Sequence, residues 1–201
     1  MEKNSIFDLA FAAKSICLHC FSSLKPQYLH WKENGVPYTA IYAYEEGYKS
    51  LIYLYKGCGD IELCSTFLER LLPYLKWRYR GYIIVPAPSH PEKIAARGFD
   101  HVPLMFEGVG KGVKVVFQKT SDIKQSAQSR AQRRHIGEHI AVLSQAKVRG
   151  EKVLLVDDVL TTGSTMRACL GFLQHMGPKK IEVLVLARVP LKPKHSSKPD
   201  F

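Results

Sequence analysis

The stretch Val153–Thr165, VLLVDDVLTTGST, constrains the fold of this chain more than any other part of its sequence. A short run of valine and leucine residues between charged residues is typical of a strand that is buried on both faces of a parallel sheet. The run leads directly into two acidic residues, Asp157 and Asp158, and then into a hydroxyl-rich segment that opens a helix. We therefore predict that a buried parallel strand ends before the two acids, at the edge where α/β sheets bind their ligands.

The segment Thr161–Thr165 has the composition of a phosphate-binding loop. Its glycine permits close approach of a ligand, and backbone N–H groups at a helix N-terminus bind anions. Asp157 and Asp158 are poor direct ligands for a phosphate, but they suit sugar hydroxyl groups or a hard cation such as Mg²⁺ in the same bound molecule. Neither GxxxxGK[ST] nor GxGxxG occurs in the chain, so this is not one of those nucleotide-binding loops. The structural alternative is a helix N-cap with two incidental acids.

Apolar segments alternate with helix-like segments along the rest of the chain. The spacing of apolar residues predicts strands at 82–85, 113–118, 152–156 and 181–189, and helices over 62–77 and 166–176, whereas 48–55 fits either a strand or the start of a helix. Strands and helices in this order form a parallel sheet with right-handed crossovers. The sequence therefore predicts an α/β fold in which helices flank a parallel sheet core.

Composition bounds the class of protein and suggests its partners. The 201 residues are 46% hydrophobic, which excludes a disordered chain, and the net charge is +11. The excess of positive charge is concentrated in residues 81–150, which contain 11 basic and 5 acidic residues. Such a cluster attracts nucleic acid or phosphorylated small molecules, unless it is only a solvated face. No run of about 18 apolar residues exists, so no membrane span is expected. The N-terminus lacks the pattern of a secretory signal, and a soluble cytoplasmic protein is expected.

The chain has five cysteines, an odd number, and no export signal is evident, so no disulfide framework is expected. Cys17 and Cys20 have the spacing of half a zinc ribbon, whereas a structural zinc site needs four ligands. No second CxxC pair follows within the next forty residues. We therefore favour a pair of ordinary thiols over a zinc site at Cys17 and Cys20.

The segment 153–165 resembles the phosphoribosyl-pyrophosphate (PRPP) motif of type I phosphoribosyltransferases over its whole length. Four further segments resemble motifs of the ComF family, the competence-associated phosphoribosyltransferase-like proteins: YKG at 55–57, IVPAP at 84–88, ARGF at 96–99 and QSAQSRAQRR at 125–134. The resemblance implies a type I phosphoribosyltransferase-like fold with a small N-terminal appendage that is a degenerate zinc ribbon.

The resemblance also implies a role for each matching residue. The PRPP 5′-phosphate would be bound by Thr161, Thr162, Gly163, Ser164 and Thr165, and the ribose 2′- and 3′-hydroxyl groups by Asp157 and Asp158. The turn Pro86-Ala87-Pro88 would contact pyrophosphate beside Mg²⁺. Residues 119–134 would form a mobile loop over the substrate, with Lys119, Arg130, Arg133 and Arg134 as phosphate clamps. No general base is evident, because His90, His101, His135 and His139 are each expected at the surface.

The chain departs from the family pattern at three places. Only one CxxC pair of the zinc ribbon is present, Asp100-His101 stands where the family has an amide pair, and QSAQ at 125–128 replaces QTGL. We expect a short N-terminal segment over 1–35, a phosphoribosyltransferase-like domain with its hood over 36–190, and a basic tail over 191–201.

Two functions follow from the resemblance. The first is a PRPP- and Mg²⁺-dependent phosphoribosyltransferase, linked to competence and DNA uptake. The alternative is a non-enzymatic competence factor whose basic surface binds single-stranded DNA or a partner protein of the competence machinery. Residues 119–134 contain no aromatic side chain, which weakens the case for stacking of DNA bases at that segment.

Overall fold

A computed structural model of the chain describes residues 24–119 and 140–190. Its main sheet has five strands: β1 (Leu29–Glu33), β2 (Val36–Ala43), β3 (Tyr82–Pro86), β6 (Lys152–Leu160) and β7 (Lys180–Arg188). The strand order is β1-β2-β7-β6-β3, with β1 and β2 antiparallel and the other neighbours parallel. A separate antiparallel pair is formed by β4 (Phe117–Lys119) and β5 (Ile140–Val142).

Helices cover both faces of the main sheet. They are α1 (Glu46–Gly57), α2 (Leu72–Arg78), α3 (Pro91–Arg97), α4 (His101–Met105) and α5 (Ser164–His175), with a 3₁₀ turn at Ile61–Cys64. Successive residues of β6 point to opposite faces, so Leu154 packs in the core beneath α1, α2 and α4, whereas Leu155 packs in the core beneath α5. Burial on both faces explains why this strand reads as a continuous apolar run.

The sequence-based predictions of β3, β7 and α5 are confirmed to within two residues, and segment 48–55 is helical, within α1. The sheet begins at β1, ahead of residue 36, and the division of the chain at 35 and 190 stays a prediction. No helix among the described residues is long and apolar enough to cross a membrane.

Two of the predicted elements are wrong in extent. The single helix over 62–77 is instead a 3₁₀ turn, a series of turns and the short helix α2, with Pro73 in its first turn. Proline lacks an N–H group and its ring clashes with the preceding helical turn, so it begins a helix rather than continuing one. The strand over 113–118 is reduced to a bridge between Val113 and Ile84, followed by β4.

Strand β6 is longer than predicted and includes Asp157 and Asp158 instead of ending before them. Asp157 pairs in register with Val185, and Leu160 with Arg188, so the acids lie within the ladder of β7. The ladder with β3 already stops at Val156. The two acids therefore lie at the point where β6 extends beyond its neighbour β3.

Candidate functional site: a cleft at the carboxyl ends of β3 and β6

A cleft of about 570 Å³ opens where β3 and β6 end. It brings together segments that are far apart in the sequence, namely helix α1, the turn after β3, helix α3 and the end of β6. Of the residues predicted from the sequence, the cleft is lined by Ala87, Pro88, Lys119, Asp157, Asp158, Thr161 and Thr165. The carboxyl edge of a parallel sheet is the usual location of ligand sites in this class of fold.

The hydroxyl-rich loop forms its own recess beside the cleft. The recess, of about 90 Å³, is lined by the whole run Thr161–Thr165 together with Asp157 and neighbouring residues. Gly163 precedes α5 with φ of 74°, a left-handed conformation that glycine adopts without strain. The Arg167 guanidinium donates a hydrogen bond to the carbonyl of Thr162, 2.9 Å away, and helps to hold the loop. The N-terminus of a 12-residue helix thus faces a small recess rich in hydroxyl groups, which suits a phosphate.

Asp158 is only 4% exposed, and both of its carboxylate oxygens are in use. Oδ2 is in contact with the Lys56 ammonium and lies 3.1 Å from Nε2 of His101, while Oδ1 accepts the backbone N–H of Val159 at 2.7 Å. Burial alone raises the pKa of this carboxyl, but the hydrogen bond from His101 and the charge of Lys56 outweigh it and hold the pKa below its ordinary value. Asp158 is therefore ionised and anchors Lys56.

Asp157 is placed differently from its neighbour. It lines both the cleft and the loop recess, and its Oδ1 accepts the backbone N–H of Asp158 at 2.9 Å. Burial raises the pKa of the Asp157 carboxyl well above its ordinary value, and the nearby charge of Asp158 raises it further. A carboxylate in such surroundings is stabilised by a ligand that donates hydrogen bonds to it, as sugar hydroxyl groups do.

His101 is buried, with 6% exposure, so the expectation that it lies at the surface is wrong. The Arg97 guanidinium donates to its Nδ1 at 2.7 Å, which requires a lone pair there and leaves the proton on Nε2, facing Asp158. Burial lowers the pKa of His101, and the cations Lys56 and Arg97 also lower it, although Asp158 opposes them. A neutral His101 thus links Arg97 to Asp158. The position of His101 two residues after the ARGF motif was the one feature of the sequence that pointed to a role at the site.

The turn Pro86-Ala87-Pro88 follows directly from β3. Pro86 is the last residue of the strand, and the backbone N–H of Ala87 donates to the Val156 carbonyl at 2.8 Å. Ser89 continues the turn into the cleft, where its hydroxyl donates to Asp100 at 2.6 Å. Asp100, which departs from the family pattern, therefore holds the end of this turn.

The cleft contains more cations than the sequence pattern indicated. Lys119 lines it as predicted, whereas Arg130, Arg133 and Arg134 lie outside the described residues. Sequence reasoning missed four lining cations from other segments: Lys49, Lys56, Lys93 and Arg97. Two of the four, Lys56 and Arg97, belong to the YKG and ARGF motifs, which were the only sequence signal for them. The arrangement favours a ligand with several negative charges.

The described residues contain no cluster of three or more histidine, cysteine or acidic side chains that would hold a metal ion. Cys17 and Cys20 lie outside the described part of the chain, so their zinc site is not tested by the structure. A second recess, of about 390 Å³, lies between β1, β2 and α2 and is lined by Tyr28, His30 and Arg78 among others. None of the residues predicted for the site lines it.

Comparison with known proteins identifies the family of the chain. The model of the phosphoribosyl transferase domain family matches residues 94–201. Competence protein ComFC of Streptococcus pneumoniae is 30% identical over 155 residues, which cover 77% of this chain and 69% of that protein. An adenine phosphoribosyltransferase of Geobacter metallireducens is 29% identical over 137 residues, which cover 68% of this chain and 77% of that enzyme.

Among solved structures, a hypoxanthine phosphoribosyltransferase from Staphylococcus aureus aligns with a TM-score of 0.41 and 16% identity, over 65% of each chain. A hypoxanthine-guanine phosphoribosyltransferase from Bacillus anthracis has the same TM-score, 13% identity, and coverage of 65% of this chain and 72% of that one. The extent of the family match and the identity to ComFC show that this chain belongs to the phosphoribosyl transferase domain family and, within it, to the ComF family.

Proposed function

We propose that the chain binds PRPP in this cleft and transfers its phosphoribosyl group to a nitrogen nucleophile, releasing pyrophosphate. The observation that carries the proposal is the junction of the loop Thr161–Thr165 with Asp157, which lines both the loop recess and the cleft. A phosphate in the loop places an attached sugar next to that carboxylate. Family membership supports the same substrate class.

Each part of the cleft has a role in this proposal. The loop binds the 5′-phosphate, Asp157 accepts hydrogen bonds from the ribose hydroxyl groups, and the turn Ala87-Pro88-Ser89 contacts the pyrophosphate. Asp158 keeps the Lys56 ammonium at the edge of the cleft. Because the transition state of the transfer carries positive charge on the sugar ring, carboxylates near the ring stabilise it, and fixed cations near the pyrophosphate stabilise the leaving group.

The donor set suits Mg²⁺ that arrives with the substrate. Mg²⁺ prefers oxygen ligands, and Asp157 and the Ser89 hydroxyl supply oxygen atoms on the cleft lining. Since the described residues contain no cluster of three metal-ligating side chains, the substrate's phosphates would complete its coordination. When bound, Mg²⁺ would stabilise the negative charge that develops on pyrophosphate.

Calorimetric titration with PRPP, with and without Mg²⁺, tests the proposal. We expect saturable binding that Mg²⁺ strengthens, and loss of that binding in the double variant Asp157→Asn, Asp158→Asn. Glu182→Gln is the matched control, because Glu182 is a buried carboxylate on the neighbouring strand and does not line the cleft. Wild-type affinity in the double variant would show that the site is assigned wrongly.

One surface feature favours a second candidate function, the binding of single-stranded DNA. Tyr74 and Trp77 are 51% and 64% exposed, and their ring centroids lie 6.4 Å apart. The Arg80 guanidinium lies 5.9 Å from the Trp77 ring, and Lys76 and Arg78 are on the same helix. Exposed aromatic rings beside cations stack the bases of single strands and attract their phosphates. The 30% identity to a competence protein agrees with DNA as a partner. We also propose a cytoplasmic location for the protein.

Fluorescence titration with an unstructured oligonucleotide at several salt concentrations tests this second function. We expect binding that weakens steeply with salt, and a loss of about fivefold to a hundredfold in affinity for Trp77→Ala. Tyr53→Ala serves as a control, because Tyr53 is equally exposed, at 67%, but lies on α1. Equal losses in both variants would argue against a specific stacking surface at α2.

A further inference from the structure

Helix α1 forms one wall of the cleft, and polar contacts fix it against the PRPP-binding elements. Near its start, the Tyr48 hydroxyl donates to the Asp158 carbonyl at 3.0 Å. Near its end, the Lys56 ammonium contacts the Asp158 carboxylate, and the Lys56 carbonyl accepts from Nε of Arg97 at 3.2 Å. Because both ends are anchored, the side chains that α1 presents to the cleft hold a defined position relative to the proposed ribose site.

Five residues of α1 line the cleft, and besides Gly57 they are four larger residues in helical spacing: Lys49, Ile52, Tyr53 and Lys56. This surface, which we call the α1 face, places an aliphatic and an aromatic side chain between two cations. Tyr44 lines the cleft just before the helix, and the Lys49 ammonium lies 5.5 Å from the centroid of its ring. Aromatic and aliphatic side chains suit the flat surface of a ring-shaped ligand.

The two cations of the α1 face are in different electrostatic situations. The charge of Lys56 is balanced by Asp158. No carboxylate within residues 24–119 and 140–190 forms an ion pair with Lys49, and the nearest helix neighbour, Glu46, lines a separate shallow recess with it rather than the cleft. The only acidic side chains among the described lining residues of the cleft are Asp157 and Asp158. Lys49 is thus a cation beside the Tyr44 ring and on the lining of the cleft, where a ligand can reach it.

We propose that the α1 face binds the acceptor of the phosphoribosyl group, and that this acceptor is a planar aromatic nitrogen compound carrying a carboxylate that pairs with Lys49. The inference rests on the proposed function and names the substrate class of that same site. Its ring packs beside Ile52, Tyr44 and Tyr53, and its negative charge faces the Lys49 ammonium. A neutral base would use the same aromatic surface, but its hydrogen-bond acceptors carry no full negative charge, so its interaction with the Lys49 ammonium would be weaker.

The transfer forms one bond and breaks another at the anomeric carbon of PRPP. The acceptor nitrogen donates its lone pair to the anomeric carbon of PRPP and forms a carbon–nitrogen bond. The bond from that carbon to the pyrophosphate oxygen breaks, and its electron pair leaves with pyrophosphate. For an N–H acceptor, the proton passes to the departing pyrophosphate. The chain supplies position and charge for this step and is unchanged by it.

Binding titrations with matched pairs of small molecules test the inference in the presence of saturating PRPP and Mg²⁺. The pairs are orotate and uracil, nicotinate and nicotinamide, and anthranilate and aniline, with adenine as an additional neutral base. We expect at least one acid to bind about ten- to a hundredfold more tightly than its neutral partner, the range for a hydrogen bond to a charged group. Lys49→Gln should remove that advantage, and Lys179→Gln, an exposed lysine elsewhere, should retain it.

The outcomes separate this inference from the function on which it rests. If PRPP does not bind, the proposed function fails. If PRPP binds but no acid is preferred over its neutral partner, or adenine binds most tightly, the inference about the acceptor fails and the proposed function stands. An acid preference that persists in Lys49→Gln would overturn the assignment of Lys49. Pyrophosphate release with the preferred acid then reports whether binding leads to turnover.

Discussion

Two carboxylates are buried to the same degree on neighbouring parallel strands, Asp158 on β6 with 4% exposure and Glu182 on β7 with 5%. Both have pKa values held below their ordinary range, since hydrogen bonds and cations outweigh the effect of burial, which raises them. Glu182 lies near the start of its strand, in register with Leu154, whereas Asp158 lies near the carboxyl end of β6. The two are thus at different ends of the sheet.

Their partners place the two carboxylates in different recesses of the protein. Glu182 accepts from the Tyr82 hydroxyl at 2.6 Å, from Arg78 at 3.0 Å and from Lys180 at 2.7 Å. Glu182 and Arg78 line the recess between β1, β2 and α2, which contains none of the residues predicted for the site. Asp158 has Lys56 as its cationic partner, and this lysine is itself part of the cleft lining. Each ion pair thus borders a recess, but only that of Asp158 borders the cleft that Thr161 and Thr165 of the hydroxyl-rich loop also line. Burial of an ion pair does not by itself mark a functional site, and the other groups of the same cleft distinguish the two carboxylates.

Removing the cation from each ion pair should give the largest difference in stability between the two regions. We expect Lys56→Met to lower the free energy of unfolding by about 3 kcal/mol at neutral pH, because Asp158 is left as a buried charge without its cation. Arg78→Met should lower it by less than about 1 kcal/mol, since Glu182 keeps Tyr82 and Lys180. Urea denaturation of both variants measures the two losses. Equal losses would contradict the distinction drawn between the two carboxylates.

Removing a tyrosine hydroxyl from each region should give smaller effects. Tyr82→Phe removes a hydrogen bond to a carboxylate, for which we expect a loss of about 2 kcal/mol. Tyr48→Phe removes one to a backbone carbonyl, for which we expect about 1 kcal/mol. The same denaturation experiment compares them. A greater loss in Tyr48→Phe would mean that the contact of α1 with β6 is stronger than the network around Glu182.

One variant should change stability in the opposite direction. Asp157 has a raised folded pKa, so its ionised form is disfavoured in the folded protein, and stability rises as the pH falls through that pKa. We therefore expect Asp157→Asn to stabilise the unliganded protein by about 1 kcal/mol at neutral pH while weakening PRPP binding. The gain should shrink on acidification, as the wild-type carboxyl becomes protonated. Destabilisation by Asp157→Asn at neutral pH would contradict a raised pKa of Asp157 in the folded protein.

The spacing of apolar residues predicted much of the fold, because the buried positions of a strand or helix form a pattern within its own short stretch of sequence. The valine and leucine runs of β6 and β7 are buried on both faces, and α5 places Met166 and Cys169 on one apolar stripe. The prediction of one helix over 62–77 was wrong because the apolar spacing shows which residues are buried, but not whether one continuous helix carries them. Phe67 and Leu75 are indeed buried in one core, but Pro73 separates them into different elements.

Sequence reasoning located the loop and the two acids but treated Asp157 and Asp158 as equivalent. Nothing local distinguishes them, because they are adjacent and identical. Their roles diverge through Lys56 and His101, which lie 102 and 57 residues away along the chain. The cations of α1 were missed for the same reason, since an exposed lysine on a helix resembles any other until the fold places a cleft beneath it.

The sequence by itself determined the parallel α/β core, the hydroxyl-rich loop and the presence of two acids beside it, because these features depend on residues close together in the chain. Only the tertiary structure decided which acid is engaged by protein cations, that His101 is a buried neutral link, and that α1 covers the cleft with Lys49 beside Tyr44. These depend on electrostatic contacts between distant segments. Their strength is set by burial and distance, which no short stretch of sequence contains.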